Sequence, residues 1–277
     1  VDVLEGPATV ALSGKDTHFR EAQRALLGSV SADSIDALID TGSLIELACI
    51  DLWTGRADHD LNVRCYRPRE RGGRWRWVLF DMDLWAPATD NSVERMCSAP
   101  VPETPYVPHL LAHSELRPRL LARLTALNAV VFAAPSTAHI ADSLFHAHEQ
   151  ELLADHRRWQ LELEPPEPRA SLVEMQGFLA QRPGHLLRHL AERTGHKLRT
   201  VTIEAPPAEV GRVLIEGLAL PPGRHPLRCF DGVPVRLEAE AAPGHEFAGW
   251  RGASAGSPVI VEDLGRSRNL RPVFRPL

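Results

Sequence analysis

Apolar positions recur at helical spacing over residues 16–28, after an Asp-Thr start and before a glycine, which predicts a helix. The same period returns over 31–38 and over 44–52. In the latter, Leu44, Ala48 and Leu52 form one stripe with Ile45, Cys49 and Trp53 beside it, and Thr54-Gly55 predicts the stop. The period then changes to two. Residues 62–67 and 75–80 are rich in aromatic and β-branched side chains around a Gly72-Gly73 turn, a β-hairpin pattern. A proline-punctuated loop is expected over 86–108, then long helices over 114–133, 136–159 and 170–194, broken at Pro135, Pro165-Pro166 and Gly195. Beyond 196 short strands are expected at 201–204, 212–215, 233–239, 247–250, 259–261 and 270–274. The predicted fold class is α+β: a mostly helical unit carrying a hairpin over 1–196, then a small all-β sandwich over 200–277.

Composition narrows the function. The 277 residues carry a net charge of −5 and a pI near 6.2, so no overall positive field exists to hold a phosphodiester backbone, and nucleic acid is not an expected partner. All but two of the 31 basic residues are arginine; the exceptions are Lys15 and Lys197. No apolar run approaches the roughly 18 residues of a membrane span. The chain starts at Val1 with no leader-like segment, and is expected to be a fragment or a processed product. The four cysteines, Cys49, Cys65, Cys97 and Cys229, have wide irregular spacing that fits buried free thiols rather than a zinc ribbon. The motifs of P-loop enzymes, zinc proteases and nucleophile-elbow hydrolases are missing.

The chemistry-bearing stretch is Arg56-Ala57-Asp58-His59-Asp60-Leu61-Asn62 and, across the hairpin, Phe80-Asp81-Met82-Asp83. Folding the hairpin brings the start of its first strand beside the end of its second, so Asp58 and Asn62 should approach Asp81 and Asp83. Converging oxygen ligands suit a hard divalent cation whose shell is completed by nucleotide phosphates. Spacing alone leaves a second reading open: Asp58 and Asp60 as turn caps, Asp81 and Asp83 as strand-end polar residues. Arg64, Arg67, Arg69, Arg71, Arg74 and Arg76 crowd the hairpin, as a phosphate-binding patch or as a solvated face. Trp75, Trp77 and Leu79 alternate as core positions. His139, His146, His148 and His156 read as solvated helix residues.

The run from Asp40-Thr41-Gly42 through Asp58 and Asn62 to Trp75-Arg76-Trp77 and Asp81-Met82-Asp83 resembles the CotH kinase family, first known from bacterial spore coats. Its members pair an "N-x-D…N" turn with a "W-R-W-x-x-x-D-x-D" strand. Weaker matches lie at Val3-Leu4-Glu5-Gly6, at 116–121, at 156–159 and at Phe178 to Pro183. The resemblance implies an atypical protein kinase using ATP with Mg²⁺ or Mn²⁺ on Ser or Thr of exported or surface proteins. It casts Asp58 as the catalytic Asp and Asn62, Asp81 and Asp83 as metal ligands. Val63 stands where many members have a second asparagine. The family's glycine- and lysine-bearing N-lobe segment is expected upstream of Val1, so residues 1–277 are expected to be inactive alone. The alternative is a noncatalytic surface scaffold of kinase-like shape.

Residues 242–252, Ala-Pro-Gly-His-Glu-Phe-Ala-Gly-Trp-Arg-Gly, resemble the "A-x-P-G-x-x-F-x-G-W-x-G" mark of a bacterial Ig-like extracellular repeat. That resemblance implies a structural spacer and an extracellular or cell-surface location.

Overall fold

The computed structural model describes residues 1–6, 10–28, 30–59, 61–98, 106–253, 256–264 and 269–277. Strand β1 (Asp2–Glu5), unforeseen in the periodicity, pairs antiparallel with β2 (Val10–Ser13) and with β3 (Arg64–Arg67). β3 pairs in turn with β4 (Arg76–Trp77), giving a sheet of order β2-β1-β3-β4. The predicted hairpin is present, but its second strand is shorter than expected. After Val78 donates its N–H to the Arg64 carbonyl at 3.0 Å, the ladder ends and residues 79–86 run on without strand pairing. Leu79, expected in the core, is consequently exposed, whereas Trp75 is buried and Trp77 half-buried.

Three helices follow the predicted order: α1 (Thr17–Leu27), α2 (Ala32–Asp36) and α3 (Thr41–Thr54). Phe19 of α1 packs edge-on to Trp75 with ring centroids 5.1 Å apart, closing that face of the sheet. The Asp40 side chain accepts from the Ser43 N–H and caps α3. The expected loop over 86–108 contains α4 (Ser92–Ser98) and α5 (Tyr106–Ala112), while 99–105 lie outside the described residues. Val93 and Met96, then Tyr106, Val107, Leu110 and Leu111, give both segments a buried helical face.

The long helices are α6 (Leu116–Val130), α7 (Ala134–Trp159) and α8 (Pro168–Thr194). No single helix among the described residues is long and apolar enough to cross a membrane. α6 is buried on nearly every side because it lies between two layers. It packs on α3 and α5 and, on its other flank, on three strands of the C-terminal β-portion.

That portion has two four-stranded sheets. One has the order β10-β12-β5-β8, from His245–Arg251, Asn269–Pro276, Leu198–Ala205 and Gly223–Phe230. The other has the order β11-β9-β6-β7, from Val259–Asp263, Pro234–Ala241, Gly211–Ile215 and Leu218–Ala219. Val201, Ile203, Val213, Ile215, Val235, Leu237 and Leu270 alternate inward and are buried. Trp250 is buried and donates Nε1–H to the Ser257 carbonyl at 3.1 Å, with Phe247 beside it at 6.1 Å. Gly252 is obligatory: its φ is +89°, and a Cβ there would lie 1.9 Å from the Asn269 carbonyl oxygen.

The architecture is therefore α+β, with one continuous set of buried apolar residues running through α6 into the sheets. Arg123 of α6 ties the two sides, pairing with Glu46 of α3 and donating to the Glu216 carbonyl at 2.8 Å. Cleavage of the chain between Gly195 and Arg199 is expected to leave two pieces that co-elute in gel filtration and part only in denaturant, because separation would expose α6. Independent elution in native buffer would show that the α6 contact is too weak to hold them.

Candidate active site

The site is built at the C-terminal end of α3, where three arginines occupy backbone acceptors. Gly55 ends the helix in the left-handed region at φ +62°, and a Cβ there would sit 3.0 Å from Ala86 Cβ. Arg182, fully buried on α8, donates Nε–H to the Trp53 carbonyl and Nη2–H to the Leu52 carbonyl, each at 2.6 Å. Its Nη1 reaches the carbonyls of Ala88 at 3.0 Å and Asp90 at 2.6 Å. Burial lowers Arg182 to about 10, which leaves it protonated at neutral pH. Arg95 of α4 donates to the Gly55 carbonyl at 2.7 Å and the Arg56 carbonyl at 3.3 Å, and pairs with Asp90 at 2.9 Å. These cations meet the acceptors that a helix C-terminus leaves unpaired.

Arg56, also fully buried, performs a different task. Its Nη1 donates to the carbonyls of Asn62 at 3.2 Å and Phe80 at 2.9 Å, and contacts Met82 Sδ at 3.4 Å. Its Nη2 donates to the His59 carbonyl at 3.4 Å and to Asp51 Oδ2 at 3.2 Å. One guanidinium thus fastens the 56–62 turn to the 80–82 segment beyond the end of β4. The counter-charge is Asp51, with Nε–Oδ1 at 3.0 Å, and the Tyr106 hydroxyl also donates to Asp51. Burial raises Asp51 from 3.8 to about 6, outweighing the opposing effects of Arg56 and Tyr106, while nearby Asp58 adds to the rise. Burial and the Asp51 charge push Tyr106 well above the usual phenol range.

On this frame the predicted residues assemble. The N–H groups of Leu61 and Asn62 donate to the Asp58 carbonyl at 2.9 and 3.0 Å, so Asp58 and Asn62 face each other across a single turn. Asn62 Nδ2 donates to Asp58 Oδ2 at 2.6 Å and to Asp81 Oδ2 at 3.0 Å. Asp81 adopts φ +53°, an uncommon conformation for a side-chain-bearing residue and one that collects at functional positions. Asp83 is exposed and makes no hydrogen bond to the other three among the described residues. Asp60, the other acid of the turn, lies outside the described residues.

The donor set fits a divalent cation with nucleotide phosphates. No three His, Cys, Asp or Glu side chains converge as a metal cage among the described residues. Mg²⁺, however, usually takes one or two carboxylates and leaves its other positions to phosphate and water. Here Asp58 and Asp81 share a single neutral donor, and Asp58 Oδ1 is buried with no hydrogen-bond partner. Asp58, Asn62 and Asp81 would hold or face such a group.

The CotH kinase protein family model matches residues 24–186, more than half of the chain and a span that contains all of these residues. The chain belongs to the CotH kinase family. No match was found among the curated proteins or among the solved structures. Membership implies ATP and a divalent metal in general. In this member of the CotH kinase family the hairpin arginines are mostly occupied structurally. Arg67 and Arg69 pair with buried Asp2 at 3.0 and 2.8 Å, and Arg74 and Arg76 with Asp40 at 3.4 and 3.0 Å. Burial alone would raise Asp2, yet donors from Arg69, the Lys15 backbone and Arg67 hold it below the ordinary carboxylate value. A cavity of about 920 Å³ between α7 and α8, walled by Trp53, Trp85, Phe132 and Phe145, is apolar and receives none of the four predicted acidic and amide side chains.

Arg56, Asp51 and Arg182 were not legible as site residues, since sequence alone favours arginine at the surface. The available signals were Arg182 within the weak match at Phe178 to Pro183, and Asp51 on the buried face of α3.

The raised Asp51 has a pH consequence. A carboxyl that binds its proton more tightly when folded contributes stability below pH about 4, and loses it as pH rises through about 6. Unfolding free energy measured by urea titration is expected to fall by roughly 2 kcal/mol between pH 4 and pH 7 from this group alone. Asp51→Asn should remove that slope; an unchanged slope would place the titration elsewhere.

Proposed function

We propose that this chain carries a protein-kinase active centre of the CotH type, transferring the ATP γ-phosphate to Ser or Thr of exported or surface proteins. The observation that carries the reading is the junction of Asp58, Asn62 and Asp81 through one carboxamide. ATP with Mg²⁺ or Mn²⁺ supplies the transferable phosphoryl group and neutralises charge that develops on its oxygens. The chain's own work is positioning. Asp58, held in place by Asn62, orients an acceptor hydroxyl and accepts its proton. Asn62 and Asp81 hold the cation, and exposed Asp83 has no contact that assigns it an equal part. Arg56 fixes the spacing of the two arms from behind, so that little reorganisation is left for the reaction.

The C-terminal β-portion has inward apolar alternation and tight glycine turns, and we read it as a spacer of the Ig-like repeat type. Its resemblance to an extracellular module supports a surface location for the kinase.

Two measurements test the function. Mn²⁺ should raise the Tm of the protein by mass action on the folded state, and Asp81→Ala should abolish the rise while leaving the metal-free Tm within a few degrees. Phosphate transfer from labelled ATP to Ser/Thr-containing exported proteins should fall by about 10³-fold or more in Asp58→Ala, the size expected when both hydroxyl orientation and proton acceptance are lost. An equal metal response in wild type and Asp81→Ala, with no transfer by either protein, would leave a surface scaffold as the function.

A further inference from the structure

Phosphoryl transfer needs a cation on the nucleotide phosphates, and that cation works best when a carboxylate fixes its direction. The two lysines are poorly placed for it. Lys15 follows β2, the outer strand, and its backbone N–H donates to Asp2 at 3.3 Å. Asp2 pairs in register with Arg67, whereas the acidic site adjoins the other end of β1, where Glu5 pairs with Arg64 and the Gly6 N–H meets the Val63 carbonyl at 2.9 Å. Those two ends of the strand are about 10 Å apart. Lys197 lies beyond α8, its carbonyl tied to the Asp231 N–H at 2.8 Å in the β-portion.

Arg64 is different. It is two residues past Asn62, and its guanidinium carbon lies 3.7 Å from the centroid of the Phe80 ring, the residue immediately before Asp81. It thus touches the second arm of the site and follows the first by two residues. Glu5 grips it from the facing strand through Nη2, and Nε is buried with no hydrogen-bond partner. The pair is reachable from solvent, with side-chain exposures of 34% and 32%. Four of the other hairpin arginines are held by Asp2 and Asp40, away from Asn62 and Asp81. A planar, part-exposed guanidinium clamped by a ring face and a carboxylate is suited to meeting phosphate oxygens.

We infer that Arg64, positioned by Glu5 and Phe80, is the residue that binds the phosphates of a nucleoside triphosphate at this site, in the role that a strand lysine fills elsewhere. The inference rests on the kinase reading above.

The test measures affinity for ATP with Mn²⁺ by calorimetry on the full chain, beside the Tm shift given by Mn²⁺ alone. Arg64→Met should weaken nucleotide binding by about tenfold or more, the loss expected for charge-assisted hydrogen bonds, while the response to Mn²⁺ alone persists. Arg64→Lys should recover part of the affinity, and Arg71→Met on the same hairpin should leave it unchanged. In the wild-type protein, ATP–Mn²⁺ should protect Arg64 from phenylglyoxal, read by peptide mass, which keeps the question answerable if Arg64→Met does not fold. A persistent Mn²⁺ response, with nucleotide affinity unchanged in the variant or Arg64 labelled equally with and without nucleotide, overturns the role of Arg64 and spares the kinase reading. Absence of any wild-type response to Mn²⁺ or to nucleotide overturns both.

Discussion

A buried guanidinium cannot be left without acceptors, and this constraint organises the centre of the molecule. Arg56 and Arg182 are both fully buried, so each must find carbonyl or carboxylate oxygens for its donors. They find them on segments that share no β-ladder: the end of α3, the 56–62 turn, and the stretch from Phe80 to Asp90. The second hairpin strand ends early, and the arginines take over the holding of the chain there. Removing either would strand several buried carbonyls together, which is why such residues act as fasteners for loops that must keep a fixed geometry.

The same arrangement explains how a negative site is tolerated. Asp51, Asp58 and Asp81 gather near one place, yet their neighbours differ: Arg56 and Tyr106 for Asp51, and a shared Asn62 carboxamide for the other two. The buried acid has a buried cation. Exposed Asp81 and half-buried Asp58 have only a neutral amide between them, which leaves negative potential facing solvent where a cation and phosphates can be received. Behind the site, α6 spans from α3 to the β-portion, so the frame on which the acidic turn is mounted is continuous with the C-terminal sheets.

The helices α1 to α3, the hairpin, the long helices and most C-terminal strands were legible in the sequence, because each repeats a local period and closes with glycine or proline. Strands β1, β2, β7 and β8, and helices α4 and α5, were not. They are short, or proline-rich, or acquire a buried face only against a distant partner.

For the candidate site, the sequence by itself determined which side chains come together: Asp58 and Asn62 four apart fit one turn, and a hairpin length brings Asp81 back to them. Tertiary structure alone decided which arginines serve structure and which face the site. Arg56, Arg64, Arg67, Arg76 and Arg182 are one residue type, with the same charge and the same preference for the surface. What separates them is the acceptor each meets, and those acceptors lie up to 130 positions away along the chain, as with Arg182 and Leu52. A local pattern records a residue's own propensities, whereas the balance between desolvating a charge and pairing it is struck only when distant segments meet.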